Sequence, residues 1–526
     1  MLSGCTRAGT SNLANGVLTI AVPIAPNTLD PLLESDADEV FADDLMFAKL
    51  VTMNDRHEQV PDLAAVVPTQ ANGGISKDGL TITYHLRRDA YWTDGKPVTS
   101  ADVKYSYEQI MNPANNVLER HGFDQIASIE TPDAWTIVLH MKRIFPPIVD
   151  AFFGESDQPY DIVPAHVLSA YANLNMIPFN AEPTVSDGPY RFARWVRGDH
   201  VELVANDRYF GGVPKIKALD LKLIADTNTV TAQLRTGETQ LGIELTGPSY
   251  RNLQNDARVT RLAVPSPTYD ALLFDCGRAP LSDKNVRVAL AYATDRDTIT
   301  RDTEFGTATP ATGDLSPFSW AYDPSLRAQP YDPARARALL DADGWKTGTD
   351  GVRVKDGQPL VLVGVYGQGS DISRDIFVQI QQEWRAVGVA LEPKSFPYPQ
   401  LYEPKQDGGI YANRKYDVGL YAWTAGRDPD DSAQFMSDQI PPEGQNFSFY
   451  RSAQMDALQR EALSTFDVAA RRRAYAGIAR LIVDDVPMVV LFYRDLLYAH
   501  APGLQHFTPN GIGEAWNAAD WSFTTP

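Results

Sequence analysis

Leu86 to Met111 reads LRRDAYWTDGKPVTSADVKYSYEQIM, and its turn chemistry orders everything around it. Asp94-Gly95 is a turn pair, because Gly accepts positive φ without steric cost. Lys96-Pro97 carries the chain extended into Thr99 and Ser100. Ser100 is placed to cap a helix whose first turn holds Asp102, where a carboxylate suits the helix dipole. Val103, Tyr107 and Ile110 follow at helical spacing. The stretch is a strand end, a tight turn and a helix entry. Flanking it, Leu80, Ile82, Tyr84, Leu86 and Trp135, Ile137, Leu139, Met141 alternate strictly, which predicts two half-buried strands.

At 526 residues the chain exceeds one ordinary core, so two or three domains are expected. The net charge of −20, from 47 basic and 67 acidic residues, argues against a nucleic-acid partner, which needs a basic face. No run of about 18 apolar residues marks a membrane span. Two cysteines, Cys5 and Cys276, give neither a disulfide framework nor a Cys-based zinc site. Cys276 follows the apolar run from Ala271 to Phe274 and reads as a buried thiol. His85 and His140 fall on the polar sides of their strands and read as solvated imidazoles, so no metal is expected. There is no G-x-S-x-G, H-E-x-x-H, phosphate loop or dinucleotide fingerprint, and no cofactor is expected. Asp341-Ala342-Asp343-Gly344 lacks the later ligands of a calcium loop and reads as a helix end. These absences favour a binding protein over an enzyme. A secreted hydrolase using two carboxylates far apart in sequence is the remaining enzymatic alternative.

Strand and helix patterns alternate along the chain. Val17 to Pro23 reads as a first buried strand, followed by a turn-rich loop from Ile24 to Pro31 that contains Asn27. Strands near Val201–Ala205, Pro214–Asp226 and Leu241–Leu245 follow, with a helix from Thr227 ended by Gly237. Asp332 caps a helix with Pro333 at its first position and Gly344 beyond its end. Leu360 to Tyr366 is a near-continuous apolar strand. Ile372, Ile376, Ile380 and Trp384 then make a helix stripe, and a strand begins at Val389. This βαβ unit puts the loop from Gly367 to Asp371 at a strand's carboxyl end, where α/β sheets place ligands. Tyr416 to Ala422 is another strand, opening into Trp423-Thr424-Ala425-Gly426-Arg427-Asp428-Pro429-Asp430. Asp430 and Asp431 read as solvated loop residues.

The opening stretch resembles the signature of the family 5 extracellular solute-binding proteins, the large binding proteins of peptide, nickel and opine ABC importers. Leu86, Arg87, Trp92, Asp94, Gly95, Pro97, Val98, Asp102, Val103, Tyr105 and Ser106 carry the match. Ser186-Asp187-Gly188-Pro189-Tyr190 resembles the family's T-G-P-Y turn with Asp187 added. Asn206 to Phe210 resembles N-x-x-Y-[WF], and Pro280 to Ala293 a further family helix. The resemblance implies an α/β, two-lobed periplasmic-binding-protein-like fold of class II type, with an extra small lobe and a ligand cleft between lobes. It implies a tether at 1–16, lobe I at 17–45, 185–265 and 490–526, the small lobe at 46–184 and lobe III at 266–489.

The function implied is the substrate-binding protein of an ABC importer, delivering a peptide or peptide-like solute to permease subunits in the cytoplasmic membrane. A monomer is expected. The alternative is an anionic solute, an opine or a phospho-sugar, in the same family. Leu2-Ser3-Gly4-Cys5 resembles the tail of a lipoprotein signal, which implies a periplasmic or cell-surface protein lipidated at Cys5. The implied ligand-binding residues are Asn27, Tyr366, Gln368, Tyr421, Trp423, Gly426, Arg427 and Asp428. In peptide-binding relatives a Trp at the position of Trp423 is followed three residues later by an Asp that holds the peptide's amino group. Gly426 stands there in this chain, so Asp428 is the candidate substitute. Dipeptide binders hold the peptide carboxylate with an Arg where this chain has Gly367 or Gln368, and that anchor is unmatched. Under the anionic alternative Arg427 would be the fork.

Overall fold

The computed structural model describes residues 16–33, 37–156 and 158–524, with side chains from residue 40 onward in the second of these. Cys5 and the tether lie outside the described residues. The chain divides into two compact units. One comprises the described residues up to Val264, the tripeptide Gly426–Asp428 and the residues from Leu496 on. The other comprises Pro265–Ala425 and Pro429–Asp495.

In the first unit the strand Val17–Val22 runs parallel to Leu241–Gly242 on one side and Ala218–Leu223 on the other. His200–Ala205 and Tyr190–Val196 extend the sheet by antiparallel pairing. Leu18 and Ile20 are fully buried, as their apolar run requires. The alternating segments pair as expected: Thr81–His85 is antiparallel to Thr136–Met141, with Ile126–Asp133 as the third strand. Above them, Phe123, Phe152 and Phe153 cluster with ring centroids 4.8 to 5.6 Å apart.

The signature corner folds as read, with one correction. Gly95 has φ +89 and donates to the carbonyl of Trp92 at 2.8 Å. The helix is Ser100–Met111, and its cap is Thr99, not Ser100. The Thr99 N–H and hydroxyl both donate to Asp102, at 2.8 and 3.0 Å. Ser100 is buried and its hydroxyl donates instead to the Asp133 carbonyl at 2.6 Å. In this capping box the Asp102 carboxylate reaches back to the N–H of the extended Thr99, while the Ser100 N–H is spent on the Ala134 carbonyl at 2.9 Å.

In the second unit Val361–Gly367 runs parallel to both Ala390–Phe396 and Val418–Thr424. The strand Thr260–Phe274, which enters this unit at Pro265, is antiparallel to Val418–Thr424. Alternation along it feeds two cores. Leu272 joins Leu362, Leu420, Ile376, Ile380 and Trp384 on one face. Ala271 and Leu273 join Tyr421, Tyr475, Ile478 and Ile482 on the other. Gly364 is obligatory, since a Cβ there would lie 2.4 Å from the Phe377 ring. Cys276 is a free thiol that is half-buried rather than fully buried, packed against both cores, and its desolvation pushes its pKa up to about 12. Among the described residues no helix is long and apolar enough to cross a membrane.

Candidate functional site

The carboxyl ends of the parallel strands in the second unit carry four of the eight candidate residues, Tyr366, Gln368, Tyr421 and Trp423. Tyr366 is stacked on Phe377 with ring centroids 4.8 Å apart, an arrangement that Gly364 permits. Gln368 is exposed, and its N–H donates to the Phe396 carbonyl at 2.8 Å. Tyr421 is buried and donates to Gln434 Oε1 at 3.2 Å, an oxygen that also accepts from Tyr269 at 3.0 Å. Trp423 lies nearly parallel to Tyr421, at 6.4 Å and 14°. Its indole Nε1 is buried without an acceptor among the described residues. A buried donor left open is costly, so this N–H is suited to a water or a solute oxygen.

Beyond Trp423 the loop turns inward at Asp431, contrary to the reading of that residue as solvated, while Asp430 stays partly exposed. Asp431 is only 5 % exposed and accepts from Gln459 Nε2 at 2.6 Å. Its carboxyl faces that of Asp314, which is also buried. Burial is the main cause that lifts both groups, Asp314 to about 6 and Asp431 well above its ordinary value. Two facing carboxyls cannot both ionise in such a place; one proton held between them supplies the missing donor.

On the strand Met488–His500, Arg494 makes a two-toothed pair with Asp270, Nε to Oδ2 at 2.5 Å and Nη2 to Oδ1 at 2.7 Å. Sequence reasoning passed over both residues. A signal existed, because each charge interrupts an apolar strand, where an ion is tolerated only with a partner.

Gly426, Arg427 and Asp428 belong to the first unit. The Arg427 N–H donates to the Glu155 carbonyl at 3.2 Å, and its Nε to the His57 carbonyl at 3.1 Å. Its Nη1 lies 3.4 Å from Asp150 Oδ2. Arg427 is thus bound into the protein through side chain and backbone. Asp428 is buried, 9 % exposed. Asn27 is exposed, and its carbonyl accepts from Arg197 at 3.4 Å.

Nearby in sequence to Asp150, the first unit buries a second charge cluster. Lys49 bonds Asp44, lies 3.3 Å from Asp161 and feels Glu155. Its neighbours Asp62 and Asp161 are pushed to about 7, chiefly by burial, and Asp187 well above the usual carboxylate range. Lys49, Asp44, Asp62 and Asp161 line a cavity of about 30 Å³, room for one or two waters. No group of three or more metal-ligating side chains among the described residues could hold an ion.

The chain matches the family model for bacterial extracellular solute-binding proteins, family 5, over residues 58–442. The oligopeptide-binding protein AppA of Bacillus subtilis is 24% identical over 539 residues, covering 99% of this chain and 96% of AppA. The glutathione-binding protein GsiB of Escherichia coli K12 is 28% identical over 438 residues, covering 82% of this chain and 81% of GsiB. The crystal structure of NikZ from Campylobacter jejuni in complex with Ni(L-His) superposes with a TM-score of 0.79 at 28% identity, covering 96% of this chain and 99% of that one. AppA of Bacillus subtilis with a bound nonapeptide has the same fold, at a TM-score of 0.78 and 23% identity, covering 97% and 99% of the two chains. With the α/β sheets described above, these likenesses make the architecture a periplasmic-binding-protein fold, and the chain belongs to family 5 of the bacterial extracellular solute-binding proteins, a family of transport binding proteins and not of enzymes.

Proposed function

We propose that this chain is the extracytoplasmic binding protein of an ABC importer and carries a peptide or peptide-like solute to its permease. The observation that carries this reading is likeness to an oligopeptide-binding and a glutathione-binding protein over most of the chain's length. The open indole N–H of Trp423, beside a wall of tyrosines at the strand ends, suits a ligand with apolar side chains and carbonyl oxygens. Asp428 is the amine anchor in this reading. The opine or phospho-sugar alternative asks Arg427 to be the fork, and its bonds to His57 and Asp150 weigh against that.

The same proposal places a lipid on Cys5, with the protein working as a monomer at the outer side of the cytoplasmic membrane. It divides the first unit into lobe I and a small lobe at 46–184, with lobe III in the second. Protein expressed with a complete signal should partition into detergent and lose that on Cys5→Ala. The solute is tested by mass spectrometry of what heat-denatured protein releases. Intact peptide supports the reading; a non-peptide anion, or cleavage products of a supplied peptide, would overturn it.

A further inference from the structure

Arg494 has three features that an ordinary cross-strand ion pair does not combine. Its partner Asp270 is buried, while the Arg494 side chain remains 50 % exposed. The bond to Asp270 uses Nε and one hydrogen of Nη2, the side edge of the guanidinium. Among the described residues the end-on edge, formed by Nη1 and the second hydrogen of Nη2, makes no bond. A guanidinium presents five N–H donors in a fixed plane, so two carboxylates can sit on it at once, one on each edge.

The surroundings are those of a recognition face. Thr268 and Thr424 face each other across the strands, their hydroxyls 2.9 Å apart, with Thr424 exposed. Tyr398, exposed, packs against Gly367 and against the Tyr402 ring at 5.2 Å, and it lies within electrostatic reach of Arg494. Glu304 is the other acid beside the pair. Burial and Asp270 lift it to about 7, so it does not place a full negative charge against the fork at neutral pH. Ser266 donates to the Arg494 carbonyl at 2.9 Å and fixes the backbone from which the side chain leaves. Strand pairing sets Thr268 and Asp270 opposite Thr424 and Ala422, near the carboxyl end of Val418–Thr424.

We propose that Arg494, held rigid by Asp270, is the anchor for a carboxylate of the solute, the terminal carboxylate in the case of a peptide. The inference rests on the peptide reading given above and supplies what the chain lacks at Gly367 and Gln368. Because Asp270 already orders the side chain, little rotamer freedom remains to be lost when the solute arrives. The carboxylate takes the end-on fork.

The test uses the full chain, stripped of bound solute by unfolding and refolding, and native mass spectrometry with two pools of random tripeptides. One pool has free carboxyl termini and the other carries the same sequences amidated. The wild type should retain the free-acid pool about tenfold to a hundredfold better than the amidated one. Arg494→Lys, which keeps the charge but not the fork, should fold and lose most of that preference. Asp270→Asn, which frees the guanidinium from its brace, should weaken it. A wild type that binds both pools alike, or an Arg494→Lys variant that keeps the full preference, would overturn the anchor and leave the peptide reading standing. Failure to retain either pool would overturn the peptide reading and the anchor with it.

Discussion

Asp314 and Asp431 set their carboxyl groups face to face inside the second unit, with Gln459 Nε2 donating to Asp431 Oδ1 at 2.6 Å. Both carboxyls hold protons more tightly in the folded chain than in the unfolded one, Asp314 up to about 6. In the unfolded chain they release protons near pH 4, so between pH 4 and 6 the native state binds more protons than the unfolded one. Stability therefore falls as pH rises through that window and goes on falling above it for as long as Asp431 keeps its proton. Asp431→Asn keeps an acceptor for Gln459 and offers Asp314 a donor. It should be more stable than the wild type at pH 8 by about 1–3 kcal/mol and nearly equal to it at pH 4. Urea melts at the two pH values measure this, and a variant less stable at pH 8 would contradict the paired proton.

The Arg427 side chain binds the His57 carbonyl and Asp150, and Asp150 also accepts from Gln59 at 2.7 Å. Arg427→Ala leaves a buried carboxylate with one donor fewer. The expected loss is about 1–3 kcal/mol, with part of it recovered in the double variant Arg427→Ala/Asp150→Asn. A double-mutant cycle in urea reads the coupling directly. Zero coupling would show that the 3.4 Å approach carries no energy.

Lys49 is the cation among Asp44, Asp161 and Glu155. Lys49→Met should cost about 3–5 kcal/mol at pH 8 and distinctly less at pH 5, where the carboxyls it abandons can take up protons. The difference between the two pH values, read from melting curves, separates lost charge pairing from lost packing.

If Asp428 holds the amine of a peptide, Asp428→Asn should weaken binding of free tripeptides by about ten- to a hundredfold. It should leave binding of the N-acetylated forms nearly unchanged. Calorimetric titration of both forms decides the matter, and equal losses for the two would remove Asp428 from that role.

The fold was legible because its signals are local. Asp94-Gly95 bends where it must, Asp332 caps and Gly344 closes a helix, and the strand pair around the signature alternates strictly. The one-residue error at Thr99 arose because two adjacent hydroxyls both suit a cap, and the choice was made by Ser100 reaching across to Asp133. The site was harder, because its residues are brought together by pairings across hundreds of positions. Asp270 and Arg494 are 224 residues apart, and Asp431 became buried through Gln459, 28 residues on. Loop composition suggested solvent for Asp431; packing against a distant helix overrode it. Arg427 was legible as a charge but not as one already spoken for.

The carboxyls gathered around Lys49 give the first unit a property visible in heat rather than in structure. Asp62 and Asp161, both near 7, with Asp187 still higher, hold protons in the native state that the unfolded chain gives up. Melting this protein at pH 7 is consequently an acid-releasing reaction, and the surrounding buffer must absorb what is shed. The calorimetric enthalpy should be larger in phosphate than in Tris, whose protonation is strongly exothermic, and the slope against buffer ionisation enthalpy counts the protons that the fold was keeping.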